Sequence, residues 1–239
     1  MSNQGSGNKV KGVVDIVFLM DVTASMSSCI EAVKNNIISF IDTICDPTKQ
    51  DNPVKNWRAK VVAYRDFLDD ASDALEDNPF VNDASAVRSQ LNSIEARGGG
   101  DLPESLLDAI YHVANMGEID KGSQEIDPNK WRYRSNAARC VIIFTDAEFH
   151  PTTKDGGTMD DINLACTTNR LLLFIFAPEM DCYDDLASID KSEYEPIAIN
   201  SGEEAADALA RFTKEPDAFK RAMEQLGKSV SASASVPVL

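Results

Sequence analysis

Near-continuous apolar runs alternate along this chain with stretches whose apolar positions recur every three or four residues. The run from Val13 to Met20 has the composition of a strand covered on both faces, as in a parallel sheet. Ile30, Val33, Ile37, Ile38 and Ile41 follow at helical spacing. The alternation continues with a strand over 57–64, a helix over Ala84 to Ile94, and a helix through Leu106, Leu107, Ile110 and Val113 with Pro103 in its first turn. Buried strands are predicted over Ala138 to Thr145 and 170–177, and a short edge strand over Tyr194 to Ile199. Gly202 to Thr213 and Asp217 to Leu226 read as closing helices. Strands and helices in this order specify an α/β fold: a doubly wound, mostly parallel central sheet with helices on both faces.

Residues 1–12 read as a flexible lead, 13–227 as the folded domain and 228–239 as a low-complexity tail. Within the domain, 116–137 carry Gly, Asp, Lys, Asn and Arg without periodicity and are expected to form a surface insertion before the central strand. At 43% apolar residues over 239 positions, the chain has material for one sizeable core.

Charge narrows the range of partners. Thirty-nine acidic against 23 basic residues give a net charge of -16, which repels nucleic-acid phosphates and anionic membrane surfaces and favours cations or basic partners. Five scattered cysteines, with no CxxC pair, indicate neither a disulfide framework nor a zinc site. The polar N-terminus has no apolar core of a signal peptide, and no stretch approaches a membrane span; the expected location is cytoplasmic.

Three polar clusters stand at or just beyond the ends of predicted strands, or just ahead of a predicted helix: Asp21, Thr23 and Ser25; Asp101 and Glu104; and Asp146. The carboxyl ends of strands in an open α/β sheet converge on one crevice, the usual ligand site. Carboxylates gathered there beside apolar strands repel one another unless a counter-charge joins them. Oxygen donors without His or Cys select Mg²⁺, with Mn²⁺ or Ca²⁺ as alternatives. Blander readings exist for each cluster: Thr23 and Ser25 as helix caps, Glu104 as a first-turn glutamate, Asp146 as a turn residue. The GGGD stretch at 98–101 has no following Lys and does not fit a phosphate loop. His112 falls on a predicted helix with no evident partner, and His150 has no nearby nucleophile; structural roles are expected for both. Arg65, in the segment Tyr64-Arg65-Asp66 near the crevice, reads equally as a surface charge.

The segment DIVFLMDVTASM resembles the DxSxS loop of von Willebrand factor A domains, with Thr23 for the first serine. GGGDLPESLLDAI (98–110) and IFTDAEFH (143–150) are similar to the Asp-x-Pro-Glu and TDAxFH motifs of integrin β-subunit I-like domains. This resemblance implies a metal-ion-dependent adhesion site. Asp21, Thr23 and Ser25 would be ligands directly or through water, Glu104 the acidic ligand of the second loop, and Asp146 a water-mediated or hydrogen-bonding partner. Asp101 would replace the family's threonine or belong to a neighbouring site. Ser28 and Cys29 stand where integrin β chains have the aspartates of an adjacent ion, and Gly99 where a third ion's Asn would lie. The implied function is a protein-binding module whose metal takes an Asp or Glu from a partner protein. An Mg²⁺-dependent hydrolase and a scaffold with a purely structural metal are the alternatives.

Overall fold

The computed structural model describes residues 12–45, 54–70, 72–100 and 102–215. The lead up to residue 11, Asp101, the predicted helix Asp217 to Leu226 and the tail lie outside the described residues. In chain order the elements are β1 Val13–Asp21, a short 3-10 turn Ala24–Ser28, α1 Ile30–Cys45, β2 Asn56–Tyr64, β3 Leu75–Asp77, α2 Ala84–Asn92 and α3 Leu106–Ala114. They continue with β4 Ala138–Phe144, α4 Met159–Asn169, β5 Leu171–Pro178, α5 Cys182–Ala187, β6 Ser192–Ile197 and α6 Ala205–Lys214.

Six strands form one sheet in the order β3-β2-β1-β4-β5-β6, all parallel except β3, which runs antiparallel to β2. This is the expected doubly wound architecture. Side chains alternate across each strand, so one face of β1 carries Val14, Ile16, Phe18 and Met20 and the other carries Val17 and Leu19. The first face packs on α1, α2 and α6, the second on α3, α4 and α5. Because both faces are covered, every residue of β1 is buried. The chain winds from β1 outward to β3, then crosses to β4 on the other side of β1. That reversal opens the crevice between the carboxyl ends of β1 and β4.

Several boundaries differ from the sequence reading. The α3 helix starts at Leu106 after Ser105, so Pro103 is not in its first turn. The reason is local: the Glu104 N–H donates to the Glu148 carbonyl at 2.8 Å and the His150 N–H to the Glu104 carbonyl at 2.9 Å, which holds Glu104 in an extended bridge. The edge strand begins at Ser192 and ends at Ile197. β3, α4 and α5 have no counterpart in the periodicity. Within 116–137, Trp131 is fully buried, and its Nε1 donates to the Val113 carbonyl at 2.9 Å.

Candidate metal centre

Asp21 ends β1 with its side chain on the face of Leu19, in register with Tyr64 of β2, one residue past the last β1–β4 pair, Met20 with Phe144. It is fully buried. Its Oδ1 accepts from the Thr23 amide at 2.9 Å and the Thr23 hydroxyl at 2.7 Å, while Oδ2 accepts from the Thr145 hydroxyl at 2.9 Å. The loop then turns through the 3-10 segment, which brings Thr23 Oγ1 and Ser25 Oγ to 3.1 Å from each other. Ser25 Oγ donates to Asp146 Oδ1 at 3.1 Å, closing a polar chain across 121 residues of sequence. Asp146 lies just past β4 and is 4% exposed, whereas Ser25 is exposed. The group therefore reaches solvent at Ser25.

Glu104 enters from the second loop, 3% exposed. Its Oε2 is buried without a hydrogen-bond partner. Gly99 ties this loop to the first: at φ +91° its backbone lies so close that a methyl group would stand 2.6 Å from Thr23 Cβ and 3.2 Å from Glu104 Oε1. The structure thus brings Asp21, Thr23, Ser25, Glu104 and Asp146 around one crevice, and Asp101 lies outside the described residues.

The electrostatics follow from that gathering. Burial raises the Asp21 pKa, partly offset by the hydrogen bonds from Thr23 and Thr145. Burial first, and the Asp21 charge second, push Asp146 up to about 7. Glu104 rises to about 9, through burial and then the charges of Asp21 and Asp66. Three carboxylates that resist ionisation together are a site that a cation would complete. Among the described residues no three His, Cys, Asp or Glu side chains are grouped so as to hold a metal ion. The donors gathered at the crevice, the Thr23 and Ser25 hydroxyls beside the carboxylates, are all oxygens, a set suited to a hard cation. The orphaned Glu104 oxygen, the raised carboxylates and this donor chemistry fit a divalent ion.

Several participants escape the sequence reading. Thr145 reads in the sequence only as the end of a strand, although a hydroxyl directly before Asp146 is an available signal. Asp66 accepts from the Leu68 amide at 2.7 Å and the Ser105 hydroxyl at 2.9 Å, fixing the loop that follows β2. The Asp70 carboxylate accepts from the Gly99 amide at 2.7 Å and so braces the glycine turn. Tyr64, in register with Asp21, buries its hydroxyl near enough to Asp21 to help lower that carboxyl's pKa. Arg65 is not a surface charge: it is fully buried, paired with Glu76 at 2.9 Å and bound to three backbone carbonyls. His112 does have a partner, Asp77 at 3.0 Å, and His150 lies 3.7 Å from Asp66.

Comparison with known proteins agrees with this architecture. Residues 15–118 match the family described as von Willebrand factor A domain. An alpha-protein kinase of Dictyostelium discoideum, vwkA, is 27% identical over 139 residues, which is 58% of this chain and 19% of the kinase. The chain thus spans about a fifth of that relative's length. Among solved structures, proximal thread matrix protein 1 from the mussel byssus aligns with a TM-score of 0.54 at 13% identity, covering 89% of this chain and 46% of that one. The same mussel protein with a zinc-occupied MIDAS motif gives 0.53 over the same shares.

Proposed function

Since this chain carries a von Willebrand factor A domain, we propose that it is a metal-dependent protein-docking module in which Mg²⁺ at the crevice binds an Asp or Glu of a partner protein. The supporting observation is the polar chain from Asp21 through Thr23 and Ser25 to Asp146, with the unpartnered Glu104 oxygen facing the same loops. The zinc in the MIDAS motif of the mussel protein supports a divalent ion at the equivalent place. Its hard, all-oxygen surroundings here favour Mg²⁺.

In this reading Thr23 and Ser25 supply hydroxyl oxygens, while Glu104, Asp21 and Asp146 supply negative charge directly or through water. A bound divalent ion supplies a Lewis-acidic position for an incoming carboxylate. The Thr145 hydroxyl and the Thr23 amide hold Asp21 in one orientation, so little rearrangement precedes binding. Arrival of a carboxylate at a partly dehydrated cation gains more than a surface ion pair, worth about 0–1 kcal/mol. Partner choice would then rest with the loops around the crevice. The net charge of -16 supports a protein partner rather than nucleic acid or a membrane, and the free thiols of Cys29, Cys140, Cys166 and Cys182 support a reducing, cytoplasmic setting.

Calorimetry with MgCl₂, followed by thermal melts, tests the reading. Saturation at a hundredfold excess over Kd should add roughly 2.7 kcal/mol of stability. Ser25→Ala should weaken or abolish that gain, and an Asp-containing peptide should bind only with the ion present. A melt unchanged by Mg²⁺ and by EDTA would rule the site out, and ion binding that no acidic protein or peptide ever depends on would leave only a structural metal.

A further inference from the structure

We propose that the face around this site takes a partner segment in which the docking carboxylate is flanked by a bulky apolar side chain and by lysine or arginine, so that the segment is net basic. The inference rests on the metal-docking reading and adds the chemistry of the partner. Four loops surround the crevice, residues 21–29, 64–70, 98–100 with 102–105, and 145–150, and their described residues carry seven acidic side chains. Apart from His150, Arg65 is the one basic residue in those loops, and it is fully buried and turned to Glu76. A divalent ion offsets two of these charges. A partner carboxylate arriving alone therefore meets a surplus of its own sign, and only one embedded in positive charge is drawn to the rim.

The rim shows where those positive charges would rest. Asp73 and Glu76 are already paired, with Arg97 at 2.5 Å and Arg65 at 2.9 Å, whereas Asp69 and Asp70 have no basic partner among the described residues. Both flank the glycine turn: Asp70 accepts from the Gly99 amide, and the Asp69 carboxylate lies against Gly100 so closely that a methyl there would collide with it. Apolar contact is available on the same two loops. Leu68 precedes Asp69 and is 57% exposed; Leu102 stands two residues before Glu104 and is 65% exposed. A leucine left this far in water on a binding loop gains when a partner covers it. The unpartnered oxygen of Glu104, a residue only 3% exposed, is the independent sign that this face awaits a ligand rather than being merely acidic. A second copy of this chain is disfavoured as the occupant, since it would bring another -16.

A random peptide library displayed on phage, selected on the immobilised full chain in MgCl₂ and eluted with EDTA, tests the proposal. The expected eluate is rich in peptides with an Asp or Glu next to Leu, Ile, Phe or Met and with Lys or Arg nearby, and their binding should weaken about tenfold from low to high salt. Leu68→Ser with Leu102→Ser should remove the apolar preference, and Asp69→Asn with Asp70→Asn the basic one, while Mg²⁺ affinity by calorimetry stays unchanged in the leucine double variant. An eluate without these preferences, or the same eluate from both double variants, overturns the proposal. So does an empty eluate from protein that binds Mg²⁺, which leaves the metal site standing; failure to bind Mg²⁺ at all overturns the underlying reading with it.

Discussion

Replacing Gly99 with alanine separates two costs that usually arrive together. At φ +91° an L side chain strains the backbone, which costs about 1 kcal/mol. Its Cβ would also stand 2.6 Å from Thr23 Cβ and Cγ2, a contact the packed loop relieves only by moving Thr23, at roughly 1–3 kcal/mol for overpacking. The same substitution at Gly156 supplies the reference, since that residue has φ +85° but nothing within 4 Å of the added carbon. Gly156→Ala should therefore lose about 1 kcal/mol and Gly99→Ala about 2–4 kcal/mol, or roughly 2–4 °C against 4–16 °C in melting temperature for a domain of this size. Differential scanning calorimetry measures both. The displaced residue is Thr23, so the Mg²⁺-induced rise in melting temperature should also shrink in Gly99→Ala and persist in Gly156→Ala. Equal losses in the two variants, with equal responses to Mg²⁺, would refute the idea that Gly99 sets the position of the first loop.

Glu118 is held down to about 2, chiefly by hydrogen bonds from Arg134 and then Arg139, against burial, which raises it. A depressed folded-state pKa gives stability that is present above the unfolded value of about 4.5 and lost as pH falls toward 2, so Glu118→Gln should match the parent protein near pH 2 and fall below it above pH 5 in acid-denaturation curves. Trp131 is fully buried against Phe80, with ring centroids 5.3 Å apart, and Trp131→Ala should cost about 3–5 kcal/mol in urea unfolding; a loss under 1 kcal/mol would mean the segment 116–137 is not anchored there. For Asp146 and Glu104 the folded pKa values, about 7 and about 9, lie above the unfolded ones, so the metal-free protein should lose stability as pH rises from about 4 to 9. Mg²⁺ binding at pH 7 should correspondingly release protons, seen as a buffer-dependent heat in calorimetry, and a heat independent of buffer would contradict that linkage.

The fold was legible where burial left one solution. β1, β4 and β5 are largely apolar on both faces, Asp15 and Arg139 apart, because helices cover both faces, and a run of that kind has few other places to go in a compact domain. β3 was not legible: Leu75–Asp77 is three residues of acidic edge whose only signal is pairing with Val62 to Tyr64, a partner outside its own segment. The α4 helix, MDDINLACTTN, buries only Ile162, Ala165 and Cys166, too narrow a stripe for periodicity to register. Its start was nevertheless written locally, since the Thr158 amide and hydroxyl both donate to Asp161 three residues on.

The site was legible in composition but not in assembly, and the difference is physical. Asp21, Thr23 and Ser25 lie within five residues, so a tight loop after a strand suffices to gather their oxygens. Glu104 is another matter. Its position is set by the backbone of the third loop, through Glu148 and His150, and by the approach of Gly99 to Thr23. Those contacts join segments some forty to eighty residues apart, and no periodicity encodes them. They also mean that the second and third loops are one mechanical piece: the two hydrogen bonds at Glu104 join it to the strand-end segment that begins with Asp146. A ligand that draws on Asp146 therefore acts on Glu104 through two backbone hydrogen bonds, and through Glu104 on the start of α3. The first loop is joined to the same piece, since Ser25 donates to Asp146 and Gly99 of the second loop packs against Thr23, so a rearrangement on docking would involve all three loops.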